Sequence, residues 1–206
     1  MERYLMTHSL LASWLYAMKE SPYEDATSTR DSFAEFLHVL RRVPSEPTEA
    51  MQNGIDFEDL VTAIIRQDAA GMKKNPEWFD AASSIADILR GASLQHRALK
   101  TVEVSGMSFL LYGRLDALKA GEIFDIKFTE KYERGKYFDS TQHPMYFELV
   151  PEANDFTYLV SNGKAVYREH YRRDESADIT VTIGDFVSWL TANGLLETYK
   201  WRWKTL

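Results

Sequence analysis

The chain has 206 residues, of which 45% are hydrophobic and 27% charged, and a formal net charge of −7 at pH 7; this balance is typical of a soluble globular protein with a sizeable core. It contains no cysteine, which excludes disulfides, thiolate zinc sites, thiol catalysis and cysteine-ligated iron–sulfur clusters. Because no apolar run could span a bilayer and no signal peptide is recognisable, we expect a cytoplasmic protein that does not associate with membranes.

The first half of the chain is predicted to be mainly helical, because apolar residues recur at the spacing of one helix face. The predicted helices lie at 9–19, 28–42, 48–69 and 76–90, and Ser21-Pro22 punctuates the end of the first. In the third, Phe57 and Leu60 belong to the buried face and Glu58 lies at its edge. A carboxylate there could point toward a sheet, although a single glutamate is more often a solvated surface residue.

The second half is predicted to contain most of the strands, because it is rich in β-branched and aromatic residues. The expected strands lie at roughly 100–105, 107–117, 122–128, 156–161 and 164–173. Helices are expected at 140–149, starting near Gln142 or His143, and at 183–192. The aromatic tail from Tyr199 is typical of a packing or partner-contact segment. One α/β or α+β domain with a helical N-terminal half is the simplest interpretation.

Two carboxylates and one amine lie on the hairpin predicted around 107–128. Asp116 comes just before its turn and Asp125 just after it, so antiparallel pairing would set the two carboxylates near each other. Lys127 is two residues beyond Asp125, and its side chain therefore leaves the same face of the strand. Converging carboxylates can hold a divalent cation beside a lysine, the minimum equipment for metal-assisted phosphodiester cleavage. The alternative is an ordinary hairpin in which Asp116 and Lys127 form a structural ion pair.

Polar residues elsewhere in the chain extend this pattern. Gln142 and Tyr146 are four residues apart and would share a helix face, where an amide and a hydroxyl together can bind a phosphate, a base edge or a carboxylate. Lys131 belongs to a basic cluster after the hairpin, which suits nucleic-acid contacts and solvated loops equally. The five histidines are scattered without metal-ligand spacing. Any metal would therefore be bound mainly by oxygens, as Mg²⁺ or Mn²⁺ prefers.

The order of these pieces resembles the PD-(D/E)xK nuclease superfamily, most closely its RecB-like and phage lambda-type exonuclease branches. The matching motifs are Glu58 on a helix, Gly113-x-x-Asp116, Asp125-x-Lys127 and Gln142-x-x-x-Tyr146. The resemblance covers about half the chain, from Thr48 to Leu149. It implies a restriction-endonuclease-like core at roughly 48–173 of a single domain, 1–206, with a central mixed β-sheet flanked by helices.

The resemblance also implies roles for individual residues. Asp116 and Asp125 would bind Mg²⁺ or Mn²⁺, Glu58 would be a further metal or water ligand, and Lys127 would position or activate the attacking water. Many members have glutamate where this chain has Asp125, and the shorter side chain could alter metal preference. The acids available in the helical segment are Asp56, Glu58 and Asp59. The expected substrate-binding residues are Gln142, Tyr146, Lys131 and Arg114.

The function implied is that of a metal-dependent DNA nuclease, an exonuclease in recombination, repair or phage DNA processing. The implied partners are DNA, further copies of the chain arranged as a ring, and a recombinase or single-strand-binding protein. The net negative charge argues mildly against an extended DNA-binding surface. One alternative is a catalytically inactive nuclease-fold module that binds nucleic acid or a protein partner. Another is a structural α+β protein whose motifs coincide by chance.

Overall fold

The structure, a computed structural model, describes residues 2–19 and 31–205. Within these residues, six strands form one mixed sheet: β1 (Arg3–Met6), β2 (Ser93–Val104), β3 (Met107–Lys119), β4 (Glu122–Phe128), β5 (Asp155–Ser161) and β6 (Val166–Arg172). The same described ranges contain seven α-helices, which flank the sheet: α1 (His8–Lys19), α2 (Ser32–Leu40), α3 (Glu49–Arg66), α4 (Phe79–Leu89), α5 (Gln142–Leu149), α6 (Ile179–Ala192) and α7 (Leu196–Trp203). The prediction of an α/β (α+β) fold with a central mixed sheet flanked by helices is confirmed.

The sheet separates two hydrophobic cores. The first core contains buried residues of α1, α2, α5, α6 and α7 packed on one face, against strand residues such as Phe109 and Phe156. The second core joins α3 and α4 to the other face, where it includes Phe124 and Leu159. Strand β5 is buried along nearly all of its length because it lies between β4 and β6 and is covered on both faces.

The long strand β3 organises the sheet. One of its edges pairs with β2 in antiparallel fashion along almost its whole length. Its other edge pairs first with β1, in parallel, as far as Leu111, and then with β4, antiparallel, from Ala117. Residues 112–116 therefore face a gap between the ends of β1 and β4. Both of these strands run toward the gap, so their carboxyl ends meet there.

Several helix starts are set by local chemistry that the sequence carries. The side chains of Asp31, Thr48 and Asp178 accept hydrogen bonds from backbone N–H groups in the first turns of α2, α3 and α6. Such caps satisfy donors that have no partner within the helix. The cap at Asp178 explains why α6 begins four residues before the predicted start at 183.

Other element boundaries depart from the predictions. Strand β2 begins at Ser93 rather than near 100, because pairing with β3 supports a polar stretch that lacks a clear alternation. Strand β1 was not predicted, since four residues carry too little pattern. The predicted helix at 76–90 is a 3₁₀ turn, Pro76–Trp78, followed by α4. The predicted punctuation at Ser21-Pro22 and the first residues of the helix at 28–42 lie outside the described residues.

The aromatic tail forms helix α7, which the sequence did not predict as a helix. Tyr199 and Trp203 are buried in the first core, and the Trp203 indole N–H donates to the Leu40 carbonyl at 2.8 Å. Trp201 is 72% exposed. The tail therefore packs against the fold, in agreement with one of the two roles expected for it.

Across residues 2–19 and 31–205, no single helix combines the length and apolar character needed to cross a membrane. One pair of helical stretches, Arg173–Ala192 and Leu196–Trp203, meets these criteria jointly but is bent by 119°.

Candidate functional site

A cleft of about 320 Å³ opens at the gap in the sheet. It is lined by the start of α1, by β3 between its two partners, by the diverging half of β4, and by side chains from α3 and α5. Of the eight site residues predicted from the sequence, seven line this cleft: Glu58, Arg114, Asp116, Asp125, Lys127, Gln142 and Tyr146. The eighth, Lys131, is exposed and lines a separate hollow beside Phe128.

Asp116 and Asp125 stand at the point where the β3–β4 hairpin opens. The last paired residues are Ala117 and Phe124, so the two aspartates occupy the next positions on either strand. Oδ2 of Asp116 accepts a hydrogen bond from the Ile126 backbone N–H at 2.8 Å. The Ile126 N–H of β4 is thus bound by a side-chain carboxylate instead of a backbone carbonyl of β3. This hydrogen bond fixes the Asp116 carboxylate beside Asp125.

Asp125 is held from two sides. The Gln142 amide donates to its Oδ1 at 2.5 Å. Its Oδ2 lies 2.7 Å from the Lys127 ammonium nitrogen, and the Asp125 side chain is 4% exposed. This oxygen is fully buried and accepts no hydrogen bond from any described group other than Lys127, with which it forms an ion pair. Asp125 and Lys127 leave the same face of β4, as their spacing predicted.

Glu58 approaches the cleft from α3, on the side of the second core. Its neighbours Phe57 and Leu60 are buried, and Glu58 itself is half-buried. Its Oε1 accepts a hydrogen bond from the Gln95 amide of β2. Asp56 instead binds the exposed Gln52 at 2.8 Å, and Asp59 lines a hollow on another side of α3. Among the three acids of this segment, Glu58 is the one in the cleft.

Burial and neighbouring negative charges raise the pKa of two of the carboxyl groups in the cleft. Burial, followed by the charges of Asp125 and Glu58, raises the pKa of Asp116 well above its usual value. Burial also raises the pKa of Glu58, with the Asp125 charge in the same direction. Burial alone would lower the pKa of Lys127, but the adjacent Asp125 outweighs it and raises that pKa. The cleft therefore concentrates negative charge around one ammonium group.

Helix α5 supplies the wall opposite α3. The Tyr146 hydroxyl donates to the Arg114 carbonyl of β3 at 3.0 Å, and its ring packs edge-on against His8 with centroids 5.5 Å apart. Burial raises the pKa of Tyr146, as does the charge of Asp125, so its hydroxyl stays protonated. The Arg114 side chain is exposed at the cleft.

A glycine allows α5 to approach the sheet. A Cβ on Gly113 would lie 2.7 Å from both the Tyr146 ring and Leu149 Cδ1. We predict that Gly113→Ala displaces Tyr146 and destabilises the protein by about 1–3 kcal/mol, the usual range for an overpacked core. Urea denaturation measures this change. Gly54→Ala is the matched control, because a Cβ there meets nothing within 4 Å and alanine favours the helix. Equal stability of the two variants would contradict the prediction.

The sequence did not identify several residues that line or support the cleft. Thr7, His8 and Ser9 enter it because β1 ends at the gap, and Tyr112 belongs to the part of β3 that pairs with β2 on one edge and faces the gap on the other. Burial, and then the Lys127 charge, lowers the pKa of His8 to about 4, so this histidine is neutral at pH 7. The spacing of the histidines did not indicate that His8 lies at the site, because its neighbours there, Lys127 and Tyr146, are more than a hundred residues away in the sequence.

The connector that follows β4 is anchored by a buried carboxylate, Glu169 of β6. Glu169 accepts hydrogen bonds from the Tyr132 hydroxyl (2.8 Å), the Gly135 N–H (3.2 Å), the Tyr137 N–H (3.0 Å) and the Tyr171 hydroxyl. Burial alone would raise the pKa of Glu169, but these bonds lower it. The connector that carries Lys131 is therefore tied to the sheet.

We predict that Glu169→Gln costs about 2 kcal/mol at pH 7, because an amide cannot accept from four donors as a carboxylate does. Since the pKa of Glu169 is lower in the folded state than its usual 4.5, its stabilisation is complete above that value and is lost as the pH falls below it. Urea denaturation at pH 7 and pH 3.5 measures both effects, with the exposed Glu175→Gln as the control. A difference between wild type and variant that persists undiminished at pH 3.5 would contradict this account.

The cleft contains carboxylate oxygens, from Glu58, Asp116 and Asp125, that could bind a metal ion. In the part of the chain that the structure describes, no three His, Asp or Glu side chains stand close enough together to form a ready-made metal site. The buried Oδ2 of Asp125, however, has no described partner other than the Lys127 ammonium, and the charges of Asp125 and Glu58 raise the pKa of the adjacent Asp116. Oxygen donors of this kind suit Mg²⁺ or Mn²⁺.

No protein-family model matches this chain, and no curated protein matches it significantly. Among solved structures, the chain is similar to one described as "Crystal structure of SSO0001", with 13% sequence identity and a TM-score of 0.42. The similarity covers 78% of this chain and 86% of that one. A TM-score of 0.42 is too low to assign a fold family or a function. The resemblance to PD-(D/E)xK nucleases therefore stays a prediction from the motifs.

Proposed function

We propose that this protein is a metal-dependent DNA nuclease that hydrolyses phosphodiester bonds. The observation that carries the proposal is the convergence of Glu58, Asp116 and Asp125 with Lys127 on one cleft. They come from a helix on one face of the sheet and from two strands within it. A structural ion pair needs one acid and one base; three acids beside a single lysine, two of them with a raised pKa, go beyond that need.

The carboxylates of Asp116 and Asp125 would hold Mg²⁺ or Mn²⁺, with Glu58 as the third oxygen donor. Held there, the ion supplies Lewis-acid stabilisation of negative charge on the phosphate oxygens. Asp116 is fixed by the Ile126 N–H and Asp125 by the Gln142 amide. Because both carboxylates are held before substrate arrives, little reorganisation is needed when charge develops.

Lys127 acts electrostatically in this proposal. Its raised pKa keeps the ammonium charged at neutral pH, and a charged ammonium cannot take a proton from water. Of the two roles expected for Lys127, positioning the water and stabilising the developing negative charge is therefore favoured over removing its proton. The ammonium lies 2.7 Å from Asp125 in the cleft, so it would be close to a phosphate bound by a metal ion at Asp125.

The remaining polar groups of the cleft orient the substrate. The exposed Arg114 guanidinium can bind a phosphate oxygen by two parallel hydrogen bonds. Tyr146 fixes the backbone that carries Arg114. Lys131 and Lys136 lie on the tied connector, outside the cleft, where they can contact the DNA backbone farther along. The preference for DNA ends, which defines an exonuclease, rests on the resemblance to the lambda-type branch.

The test is cleavage of linear and circular DNA, single- and double-stranded, with Mg²⁺ or Mn²⁺. We expect degradation of linear DNA by the wild type and its loss in Asp116→Ala and Lys127→Ala. Nicking of circles would instead indicate an endonuclease. Absence of cleavage in every combination, or cleavage unaffected by both substitutions, would overturn the proposal. Titration calorimetry with Mn²⁺ then separates the alternatives, because a binding module with a degenerate site binds no Mn²⁺ specifically.

A further inference from the structure

The pairing of β2 with β3 is interrupted directly opposite Asp116. Leu94 pairs with Ala117 and His96 with Leu115, whereas the intervening positions, Gln95 and Asp116, are unpaired. Gln95 has a φ of 53°, in the left-handed region that residues other than glycine rarely adopt. Such a conformation is unfavourable for a residue with a side chain and persists only where its surroundings hold it.

The interruption changes which core the flanking residues face. Along β3, Leu115 packs in the first core and Ala117 in the second. Along β2, Leu94 packs against the second core and Val102 against the first. Positions separated by an even number of residues share a face in a regular strand. In both strands, therefore, the side-chain alternation is reversed at the unpaired positions, Gln95 in β2 and Asp116 in β3. These positions lie beside the cleft.

At this switch the Gln95 side chain extends from the sheet to helix α3. Its amide donates to Oε1 of Glu58, 37 residues away in the sequence and on helix α3. The pair formed by Gln52 and Asp56 is a useful contrast. It also joins a glutamine amide to a carboxylate, at 2.8 Å, but lies on the exposed surface of α3 and spans one helical turn without strained backbone.

We propose that Gln95 is a positioning residue, which holds the Glu58 carboxylate toward Asp116 and Asp125 so that the three acids act as one metal-binding set. This inference rests on the proposed function and adds to it a residue that no motif contains. The backbone strain is located at the residue that reaches Glu58, and Asp116 is directly opposite. Groups that hydrogen-bond metal ligands typically change metal affinity by 10- to 100-fold when removed.

The experiment is a double-mutant cycle read out by Mn²⁺ affinity in titration calorimetry, with thermal unfolding recorded for each protein. We expect Gln95→Ala to weaken Mn²⁺ binding by at least about tenfold, and Gln52→Ala to leave it unchanged. In the Glu58→Ala background, Gln95→Ala should cause no further loss, because the carboxylate that it positions is gone. Gln95→Asn, which tolerates a positive φ but is one methylene shorter, should also weaken binding and serves if the alanine variant does not fold.

Two results would overturn the inference while leaving the proposed function intact. One is unchanged Mn²⁺ affinity in Gln95→Ala and Gln95→Asn while the wild type binds Mn²⁺ and cleaves DNA. The other is an equal loss in the wild-type and Glu58→Ala backgrounds, the additive result of a purely structural role. Failure of the wild type to bind Mn²⁺ would overturn both the inference and the proposed function.

Discussion

Replacing Asp116 by asparagine should abolish metal-dependent DNA cleavage and, at the same time, stabilise the metal-free protein at neutral pH. Asparagine keeps an oxygen that can accept from the Ile126 N–H but removes the negative charge that Asp125 and Glu58 repel. We expect the cleavage rate to fall by about 10³-fold or more, equivalent to about 4 kcal/mol of transition-state stabilisation. Relief of the repulsion should add about 1–2 kcal/mol to the free energy of unfolding.

The pH dependence distinguishes this explanation from a general change in packing. The pKa of Asp116 is raised above its usual 3.8 in the folded protein, so its favourable contribution to stability is present below pH 3.8 and is lost as the pH rises through the raised pKa. The advantage of Asp116→Asn should therefore grow with pH and then level off. Urea denaturation without metal measures it, with the exposed Asp185→Asn as the control. A variant less stable than wild type at every pH would refute the repulsion argument.

Replacing Lys127 by methionine should destabilise the metal-free protein, whereas Asp116→Asn should stabilise it. Methionine preserves the apolar stem but leaves Asp125, whose side chain is 4% exposed, without its ion-pair partner. Removing one member of a buried pair costs about 3–5 kcal/mol, and we expect about 2–3 kcal/mol here because the Lys127 side chain is 30% exposed. The cleavage rate should fall by about 10²- to 10³-fold, the usual effect of losing one group that stabilises developing charge.

Chemical denaturation with and without Mn²⁺ checks this prediction. Mn²⁺ should restore part of the lost stability, because a bound cation can neutralise the charge that Lys127 neutralised. Lys164→Met, an exposed substitution on the turn after β5, should change neither the stability nor the cleavage rate. Identical stability of Lys127→Met and wild type without metal would mean that the ion pair with Asp125 contributes nothing.

The parts of the site that lie close together in the sequence were predictable. Asp125 and Lys127 share a face of β4 because side chains alternate along any strand. Asp116 lies near Asp125 because one turn joins β3 to β4. The apolar spacing of α3 gave the burial of Phe57 and Leu60 and left Glu58 at the edge of that face. Each of these inferences depends on local geometry alone.

The contributions from distant segments were not predictable. Gln95 reaches Glu58 only because both strands switch faces opposite Asp116, and no local pattern marks such a switch. His8 enters the cleft because β1 pairs with the first residues of β3, more than a hundred residues later, and ends at the gap. Lys131 is a predicted substrate-binding residue from the basic cluster after the hairpin, and the connector places it at a separate hollow rather than in the cleft.

By itself, the sequence determined the α/β class, the hairpin and the order of the acids, amine and amide along the chain, because propensity and periodicity act over a few residues. Only the tertiary structure decided that these groups share one cleft. The gap between β1 and β4 depends on which strands pair with β3 and where each pairing ends, and strand register is fixed by packing on both faces of the sheet. The repulsion among Glu58, Asp116 and Asp125 follows from that packing, since it appears only when the three carboxylates are brought close together.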